Sequence, residues 1–203
     1  MQNKEITRKR IYTLTECAVM IALATVLSLI KVWKMPLGGS ITALSMLPIC
    51  LFSVMFGLKW GLGGAFVYAV IQLMLDLPEA MGWGLTPTVW VGMILFDYLI
   101  AFTVLGLAGV FRRKKEAGAL LGTCLAMFLR FVSHVISGTL FFGAWLPEGW
   151  SNPLIYSICY NGLFMLPELI LTGIVMFSLL KIPVIKRMVF EQNGLSFTEA
   201  EKR

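Results

Sequence analysis

The chain has 203 residues, of which 58% are hydrophobic and 14% charged, and its mean hydropathy is +0.83. Soluble domains contain roughly 45–50% apolar and about 25% charged residues, so the composition excludes a soluble globular protein and indicates an integral membrane protein. The net charge of +6 could suggest a nucleic-acid partner. The basic residues instead form short runs between apolar segments, as in multi-pass membrane proteins, so no nucleic-acid partner is expected.

Six apolar segments predict six transmembrane helices, because roughly 20 apolar residues cross the hydrocarbon core of a bilayer. In chain order, the predicted spans are residues 12–30, 43–56, 61–75, 88–110, 117–142 and 153–180. The second span is short and contains Pro48, so we expect it to be tilted or broken. The first follows a basic start but runs into Lys31, Trp33 and Lys34 instead of a small-residue cleavage site, so we interpret it as a retained span.

The distribution of basic residues predicts the orientation. The N-terminal segment, Lys59, the run at 112–115 and the C-terminal tail hold most of the 17 Lys and Arg residues. Positive charge is enriched in cytoplasmic loops, so both termini are expected in the cytoplasm. We find no internal repeat and no linker. The prediction is a single all-α membrane domain over residues 1–203, with cytoplasmic tails at about 1–10 and 182–203.

Cysteine and histidine usage gives no sign of a metal centre. The chain has one histidine and no CxxC pair, so neither a metal ion nor another cofactor is expected. It also contains no Walker A motif, so it does not bind ATP by that route. The cysteines all lie within apolar segments, where such residues usually serve as small buried hydrophobes; they are Cys17, Cys50, Cys124 and Cys159.

The fifth span carries a polar face inside an apolar segment. Arg130, His134, Gly138 and Phe142 follow one another at intervals of four residues, which places them along one face of a helix. A charge at membrane depth costs about 2.5–3.5 kcal/mol on insertion scales. We therefore favour a ligand site. The structural alternative is a snorkelling arginine with a histidine bonded to a neighbouring helix.

Two further spans carry polar residues that fit a ligand site. Asp97 and Tyr98 lie midway through the fourth span, where a carboxylate needs either Arg130 or a bound organic cation as partner. The alternative is an Asp97–Arg130 pair that only fixes helix packing. Tyr156 and Asn161 lie close to one face at the start of the sixth span. Asparagine recognises heterocycles through paired donors and acceptors, although it also bonds helices together in membranes.

Aromatic and small residues complete the pattern. Aromatic side chains near the predicted outer surface form either an interfacial belt or a stacking site for a flat cation, where ring attraction contributes ~0.5–2 kcal/mol. Ala18 and Ala22 give the first span a smooth face that allows another helix to approach closely. The aromatic set is Trp33, Trp83, Trp90, Phe141, Phe142, Trp145, Trp150 and Tyr156.

Together, these residues resemble the thiamine-specific substrate-binding (S) components of energy-coupling factor (ECF) transporters. The similarity runs through nearly the whole chain. It is strongest in PLGGSI and MLPI within residues 36–49, LFDYLIAF at 95–102, LRFVSHVISGTLFFG at 129–143 and IYSICYN at 155–161. The Ala18–Ala22 motif is shared by S components in general.

The resemblance implies a six-helix bundle in a bacterial plasma membrane, with a vitamin pocket that opens outward beneath the first loop. It implies thiamine binding without catalysis, and it implies as partners a transmembrane T component and two cytoplasmic ATPases. Ala18 and Ala22 would form the docking surface. The implied thiamine-binding residues are Asp97, Tyr98, Arg130, His134, Gly138, Phe142, Tyr156, Asn161 and Tyr68.

Within that set, the resemblance and the chemistry of thiamine suggest individual roles. Asp97 would compensate the thiazolium cation, and Phe142 or Tyr68 would stack on the ligand. Hydrogen bonds to the pyrimidine edge and the hydroxyl would come from Asn161, Tyr156 and His134.

Three rival functions stay open at this point. The first is an S component for another vitamin or a thiamine precursor. The second is a stand-alone proton-coupled carrier that uses Asp97. The third is an intramembrane enzyme that uses His134 and Asp97, against which the absence of a legible nucleophile counts.

Overall fold

A computed structural model of the chain describes residues 2–192. Met1 and residues 193–203, the last part of the predicted C-terminal tail, lie outside the described residues. In chain order the helices are α1 (Gln2–Leu29), α2 (Leu47–Phe56), α3 (Leu58–Ala80), α4 (Pro87–Gly109), α5 (Lys115–Phe141), α6 (Pro153–Lys181) and α7 (Pro183–Arg187), which a π turn at Met188–Gln192 continues.

The second helix is shorter than a membrane span. Its ten residues extend about 15 Å, which is half the thickness of a typical hydrocarbon core. Gly57 ends it with φ +85°, a backbone angle that favours glycine, and α3 begins at the next residue. The described residues thus contain five helices long and apolar enough to cross a membrane, and α2 by itself is not a sixth.

The predicted connection at residues 31–42, which we call the first loop, is an antiparallel β-hairpin. Its strands are β1 (Lys31–Lys34) and β2 (Ser40–Thr42), and a 3₁₀ turn at Pro36–Gly38 joins them. Gly38 has φ +96°. An L-amino acid with a side chain rarely adopts that angle, which explains a glycine at the tip of the hairpin.

Two ion pairs attach the first loop to the end of α3. Lys31 Nζ lies 3.3 Å from Asp76 Oδ1, and Lys34 Nζ lies 2.7 Å from Glu79 Oε2. Both carboxylates were predicted to lie in a loop, but α3 continues through this stretch to Ala80. The extra helical turn places Asp76 and Glu79, which are three positions apart on α3, beside Lys31 and Lys34, which are three positions apart on β1.

Basic residues collect at the opposite end of the bundle, which we call the basic end. Arg112 Nη2 donates a hydrogen bond of 2.9 Å to the Met55 carbonyl oxygen, and Lys186 forms an ion pair with Glu116. The first contact joins the turn between α4 and α5 to the end of α2, and the second joins α7 to the start of α5. The predicted basic run at 112–115 occupies that turn and the first residue of α5.

The second half of α4 packs closely on its neighbours through small residues. Ser53 Oγ donates to the Gly106 carbonyl at 2.5 Å and accepts from the Gly109 amide at 2.9 Å. On the other side, a Cβ added at Gly122 of α5 would lie 2.0 Å from the Ala108 carbonyl oxygen. These contacts fix the position of α4 between α2 and α5, and hence the position of the polar residues in its first half.

Candidate ligand-binding site

A cavity lies among α3, α4, α5 and α6, beneath the first loop. It encloses about 1060 Å³ of space free of protein atoms, including the part open to solvent. Small-molecule sites are concave and combine apolar and aromatic walls with a few polar groups, and the lining of this cavity has that character. The predicted site residues that line it are Asp97, Tyr98, Arg130, His134, Gly138, Phe142, Tyr156 and Asn161.

Asp97 is held by two side chains of α5. Its Oδ1 lies 2.8 Å from His134 Nδ1, and its Oδ2 accepts a hydrogen bond from Ser137. The surrounding part of α4 is π-helical, from Met93 to Ile100, a geometry that occurs frequently at functional sites. Ser133 of α5 donates to the Phe96 carbonyl at 2.5 Å, next to Asp97. The carboxylate is thus oriented by side chains of a neighbouring helix.

Arg130 contacts His134 and not Asp97. Its Nε donates to His134 Nε2 at 3.3 Å, which leaves the ring proton on Nδ1, where it is donated to Asp97. The guanidinium carbon of Arg130 also lies 4.1 Å from the centroid of the Phe102 ring. The direct Asp97–Arg130 pair considered from the sequence is therefore absent. Since the donor to Asp97 is a neutral imidazole, the negative charge stays available at the cavity.

Gly138 allows α6 to approach α5 closely. A Cβ at this position would lie 2.3 Å from Ser157 Oγ. Ser157 in turn accepts from Asn161 Nδ2 at 3.1 Å, and the same nitrogen donates to the Ser157 carbonyl at 2.9 Å. Both contacts use the donor side of the Asn161 amide within α6. Among the described contacts, its carbonyl oxygen is left to accept from a ligand.

Tyr98 is hydrogen-bonded to a second carboxylate of the cavity wall, that of Asp76. Its hydroxyl donates to Asp76 Oδ2 at 3.3 Å, while its ring stacks on Phe102 with centroids 6.1 Å apart. Asp76 lines the cavity together with Lys31 of the first loop. The sequence analysis did not select Asp76 or Lys31. The matching three-residue spacing of Lys31/Lys34 and Asp76/Glu79 was the signal that could have identified them.

The aromatic residues of the predicted outer set divide into two groups. Trp83, Phe142, Trp145 and Tyr156 line the cavity, whereas Trp33 on the hairpin is 65% exposed. The rings of Phe142 and Trp145 contact each other with centroids 5.8 Å apart. The four cavity-lining rings provide flat apolar walls around the polar residues of the site. The sequence alone did not distinguish these rings from the aromatic residues outside the cavity.

Tyr68 does not line the cavity. It is fully buried in α3, and its hydroxyl lies 3.5 Å from the Ala24 carbonyl oxygen. Its ring makes an edge contact with Phe102, with centroids 5.5 Å apart. Phe102 is the residue that faces the cavity. Tyr68 therefore contacts a residue of the cavity wall and is not part of that wall itself.

The small residues of α1 lie on the outside of the bundle. Ala18 and Ala22 are exposed, whereas Ile21 and Ala24 of the same helix are buried in the core. The smooth face that the sequence predicted is therefore accessible from outside. Among the described residues, no group of three or more His, Cys, Asp or Glu side chains is arranged to hold a metal ion.

Comparison with known proteins assigns the chain to a family. Residues 14–187 match the family model described as "Thiamine transporter protein", which is well over half of the chain. The chain belongs to this family.

Relatives of the thiamine transporter family agree with the assignment. The thiamine transporter ThiT of Bacillus subtilis is 32% identical over 183 residues, covering 83% of this chain and 90% of that protein. ThiT of Lacticaseibacillus paracasei is 27% identical over 206 residues, covering 94% and 96%. A solved structure of ThiT from Listeria monocytogenes matches with a TM-score of 0.68 at 26% identity, covering 87% of this chain and 98% of that one.

Family membership confirms several of the expectations from the sequence. The chain is an all-α, multi-pass bacterial membrane protein of a thiamine transporter family. The relatives are named as transporters, which agrees with a function in transport and not in catalysis. The intramembrane enzyme considered from the sequence is thereby set aside.

Two further residues near the cavity were not selected from the sequence. Tyr160, adjacent to Asn161, lines the cavity. Glu168 lies about two helical turns further along α6. Tyr160 stood within the IYSICYN segment, so the resemblance covered it, but its spacing gave no reason to separate it from a core aromatic residue. Glu168 was visible as a charge inside a span next to Pro167.

Proposed function

We propose that this chain binds thiamine in the cavity beneath the first loop and acts as the substrate-specific S component of an ECF transporter. The observation that carries the proposal is the carboxylate of Asp97, held by His134 and Ser137 inside an aromatic-walled cavity. A permanently charged thiazolium is attracted to such a carboxylate, and a low local dielectric strengthens that attraction. The family match supports the choice of thiamine.

The lining residues suit the three parts of thiamine. Asp97 compensates the thiazolium charge, and Phe142 stacks on one of the rings. The aminopyrimidine edge and the hydroxyethyl arm take hydrogen bonds from Asn161, Tyr156 and His134. Arg130 acts through His134, because its contact with Nε2 selects the tautomer that faces Asp97.

We infer a single domain over residues 1–203, a six-helix bundle of α1–α6 with both termini in the cytoplasm. The support is the separation of charges between the two ends of the bundle. The basic end carries the run at 112–115 with Lys186, whereas at the first loop Lys31 and Lys34 are both paired with carboxylates. Positive charge is enriched on the cytoplasmic side, so the first loop and the cavity mouth face outward.

The proposed partners are a transmembrane T component and two cytoplasmic ATPases. The chain contains no Walker A motif of its own, so ATP would have to be hydrolysed by other subunits. The exposed Ala18–Ala22 face of α1 is the proposed contact with the T component, since small residues let two helix backbones approach closely in a membrane.

Titration of the detergent-purified protein with thiamine tests the binding proposal. Trp83 and Trp145 line the cavity, so tryptophan fluorescence should change on binding, and calorimetry should give one site per chain. The absence of binding to folded protein would overturn the thiamine assignment. Equal affinity for the isolated aminopyrimidine would instead indicate an S component for a precursor.

Uptake into reconstituted vesicles tests the energy coupling. Vesicles that contain this chain alone should take up no thiamine, whereas addition of the T component, the ATPases and ATP should produce uptake. Uptake by the chain alone that an uncoupler abolishes would show a stand-alone proton-coupled carrier and contradict the S-component proposal.

A further inference from the structure

The hydroxyl of Tyr160 contacts the tip of the first loop at two backbone positions. It accepts a hydrogen bond from the Gly39 amide at 3.1 Å and donates one to the Pro36 carbonyl. Pro36 is the first residue of the turn at the tip of the hairpin, and Gly39 directly follows that turn. The Tyr160 ring lines the cavity, with its centroid 6.0 Å from that of Phe164. Tyr160 therefore joins the cavity wall to the segment that covers the cavity.

The base of the first loop is attached to the same helix by a different residue. Glu168, which is 2% exposed, accepts hydrogen bonds from the amide and the hydroxyl of Thr42, the latter at 2.6 Å. Thr42 also shares a hydrogen bond of 2.7 Å with Ser45. This buried network anchors the point at which the hairpin returns to the helices. The base of the hairpin is thus fixed more firmly than its tip.

The remaining contacts of the first loop are weak. The ion pair of Lys31 lies at the base of the hairpin, where Lys31 is opposite Thr42, and that of Lys34 lies nearer the tip. Both pairs are partly exposed, and exposed pairs contribute little to stability. Gly38 lies against Trp83, since a Cβ there would be 2.8 Å from the indole ring, but this contact is apolar and not directional. Tyr160 therefore supplies the hydrogen bonds described between the backbone of the tip and the helices.

We propose that Tyr160 is a positioning residue whose hydroxyl latches the tip of the first loop over the cavity and so sets the rate at which the substrate leaves. The inference rests on the proposed function, since the substrate is taken to be thiamine. Two hydrogen bonds that must break before release slow dissociation, and affinity differences between variants of one site reside mostly in the dissociation rate.

The test is Tyr160→Phe in the full-length, detergent-purified protein. Hydrogen exchange of peptides covering residues 36–42 should be faster than in the wild type, without any ligand present. Stopped-flow tryptophan fluorescence should show thiamine dissociation accelerated about fivefold or more. The melting temperature and the number of sites per chain should be unchanged, which a general loss of structure would not allow.

Tyr156→Phe is the matched control for the exchange experiment. Tyr156 lies one turn earlier on α6, contacts Tyr160 through its ring at 5.8 Å and makes no hydroxyl hydrogen bond among the described contacts. Its removal should leave exchange of the first loop at the wild-type rate. Gly39→Ala approaches the same contact from the loop, because a Cβ there would lie 2.8 Å from the Tyr160 hydroxyl oxygen, and it should also accelerate exchange.

The possible outcomes separate the latch from the proposed function. Unchanged loop exchange in Tyr160→Phe would overturn the latch, and faster exchange with an unchanged dissociation rate would overturn its role in release. If the wild-type protein binds no thiamine, the proposed substrate is wrong. The exchange experiment then still decides whether Tyr160 holds the first loop.

Discussion

The carboxylate of Asp97 lies within a membrane helix, where an unsatisfied charge is costly. The protein meets this cost with a neutral imidazole and a hydroxyl, from His134 and Ser137, instead of the nearby guanidinium of Arg130. A direct ion pair would have cancelled the charge. Neutral donors satisfy the oxygen atoms without cancelling the local charge of the Asp97 carboxylate, which can then attract a cationic ligand group.

Substitution Asp97→Asn should weaken thiamine binding at least tenfold, which corresponds to about 1.4 kcal/mol. The amide retains the size of the carboxylate but not its charge, so the loss reports on attraction to the thiazolium. Calorimetry gives the dissociation constant. Glu116→Gln is the control, because this carboxylate pairs with Lys186 at the basic end and should not affect binding. Unchanged affinity in Asp97→Asn would mean that aromatic faces alone hold the cation.

At the level of the helices, α4 combines two departures from regular geometry. Its first half widens into a π-helix around Asp97, and its second half narrows into a 3₁₀-helix from Val104 to Gly109. The narrow part packs on backbone atoms of neighbouring helices through small residues. Since these close contacts prevent α4 from sliding or turning, they maintain the alignment of Asp97 with the donors on α5.

Gly122→Ala should destabilise the protein by about 1–3 kcal/mol, because the added Cβ would lie 2.0 Å from the Ala108 carbonyl oxygen and the backbone cannot move aside cheaply. Thermal unfolding in detergent measures the effect. Gly173→Ala is the control, since nothing lies within 4 Å of a Cβ at that position, and it should melt at or above the wild-type temperature. Equal melting of both variants would show that the α4–α5 contact relaxes easily.

At the scale of the whole molecule, the exposed Ala18–Ala22 face of α1 belongs to the transport step of the proposed function. Ala18→Trp should abolish ATP-driven thiamine uptake by the reconstituted complex while leaving binding to the isolated chain intact. The bulky ring would prevent a partner helix from approaching. Uptake assays and calorimetry on the same variant separate the two effects.

Leu23→Trp is the control for this surface. Leu23 is 47% exposed on the same helix, but it is five residues from Ala18 and hence about 140° around the axis. A tryptophan there should face lipid and permit uptake. Transport by Ala18→Trp at the wild-type rate would remove this face from the docking proposal, and loss of transport in both variants would attribute the effect to α1 in general.

Much of the cavity could be predicted from the sequence because its members repeat at helical spacing. Arg130, His134 and Gly138 share one face of α5, Phe142 directly follows the helix, and all four line the cavity. The helices themselves were predictable for the same reason, since apolar composition and length are local properties. The family resemblance was likewise recognisable from the sequence, because it lies in continuous segments of the chain.

The partners of these residues could not be predicted. Asp97 of α4 contacts His134 of α5. Whether the carboxylate meets His134 or Arg130 depends on how the two helices are rotated relative to each other. That rotation is set by close contacts such as those of Gly122 and Ser53, which no periodicity encodes. Tyr68 shows the consequence, because the same packing places Phe102 between it and the cavity.

By itself, the sequence determined the class of the protein, the positions of its long helices and the polar face of α5. Each of these follows from composition or from the period of a single helix. The tertiary structure decided that the hairpin at 31–42 lies over the cavity, and that Tyr160 and Glu168 reach it. These features depend on contacts between residues more than a hundred positions apart, whose geometry exists only once the helices have packed.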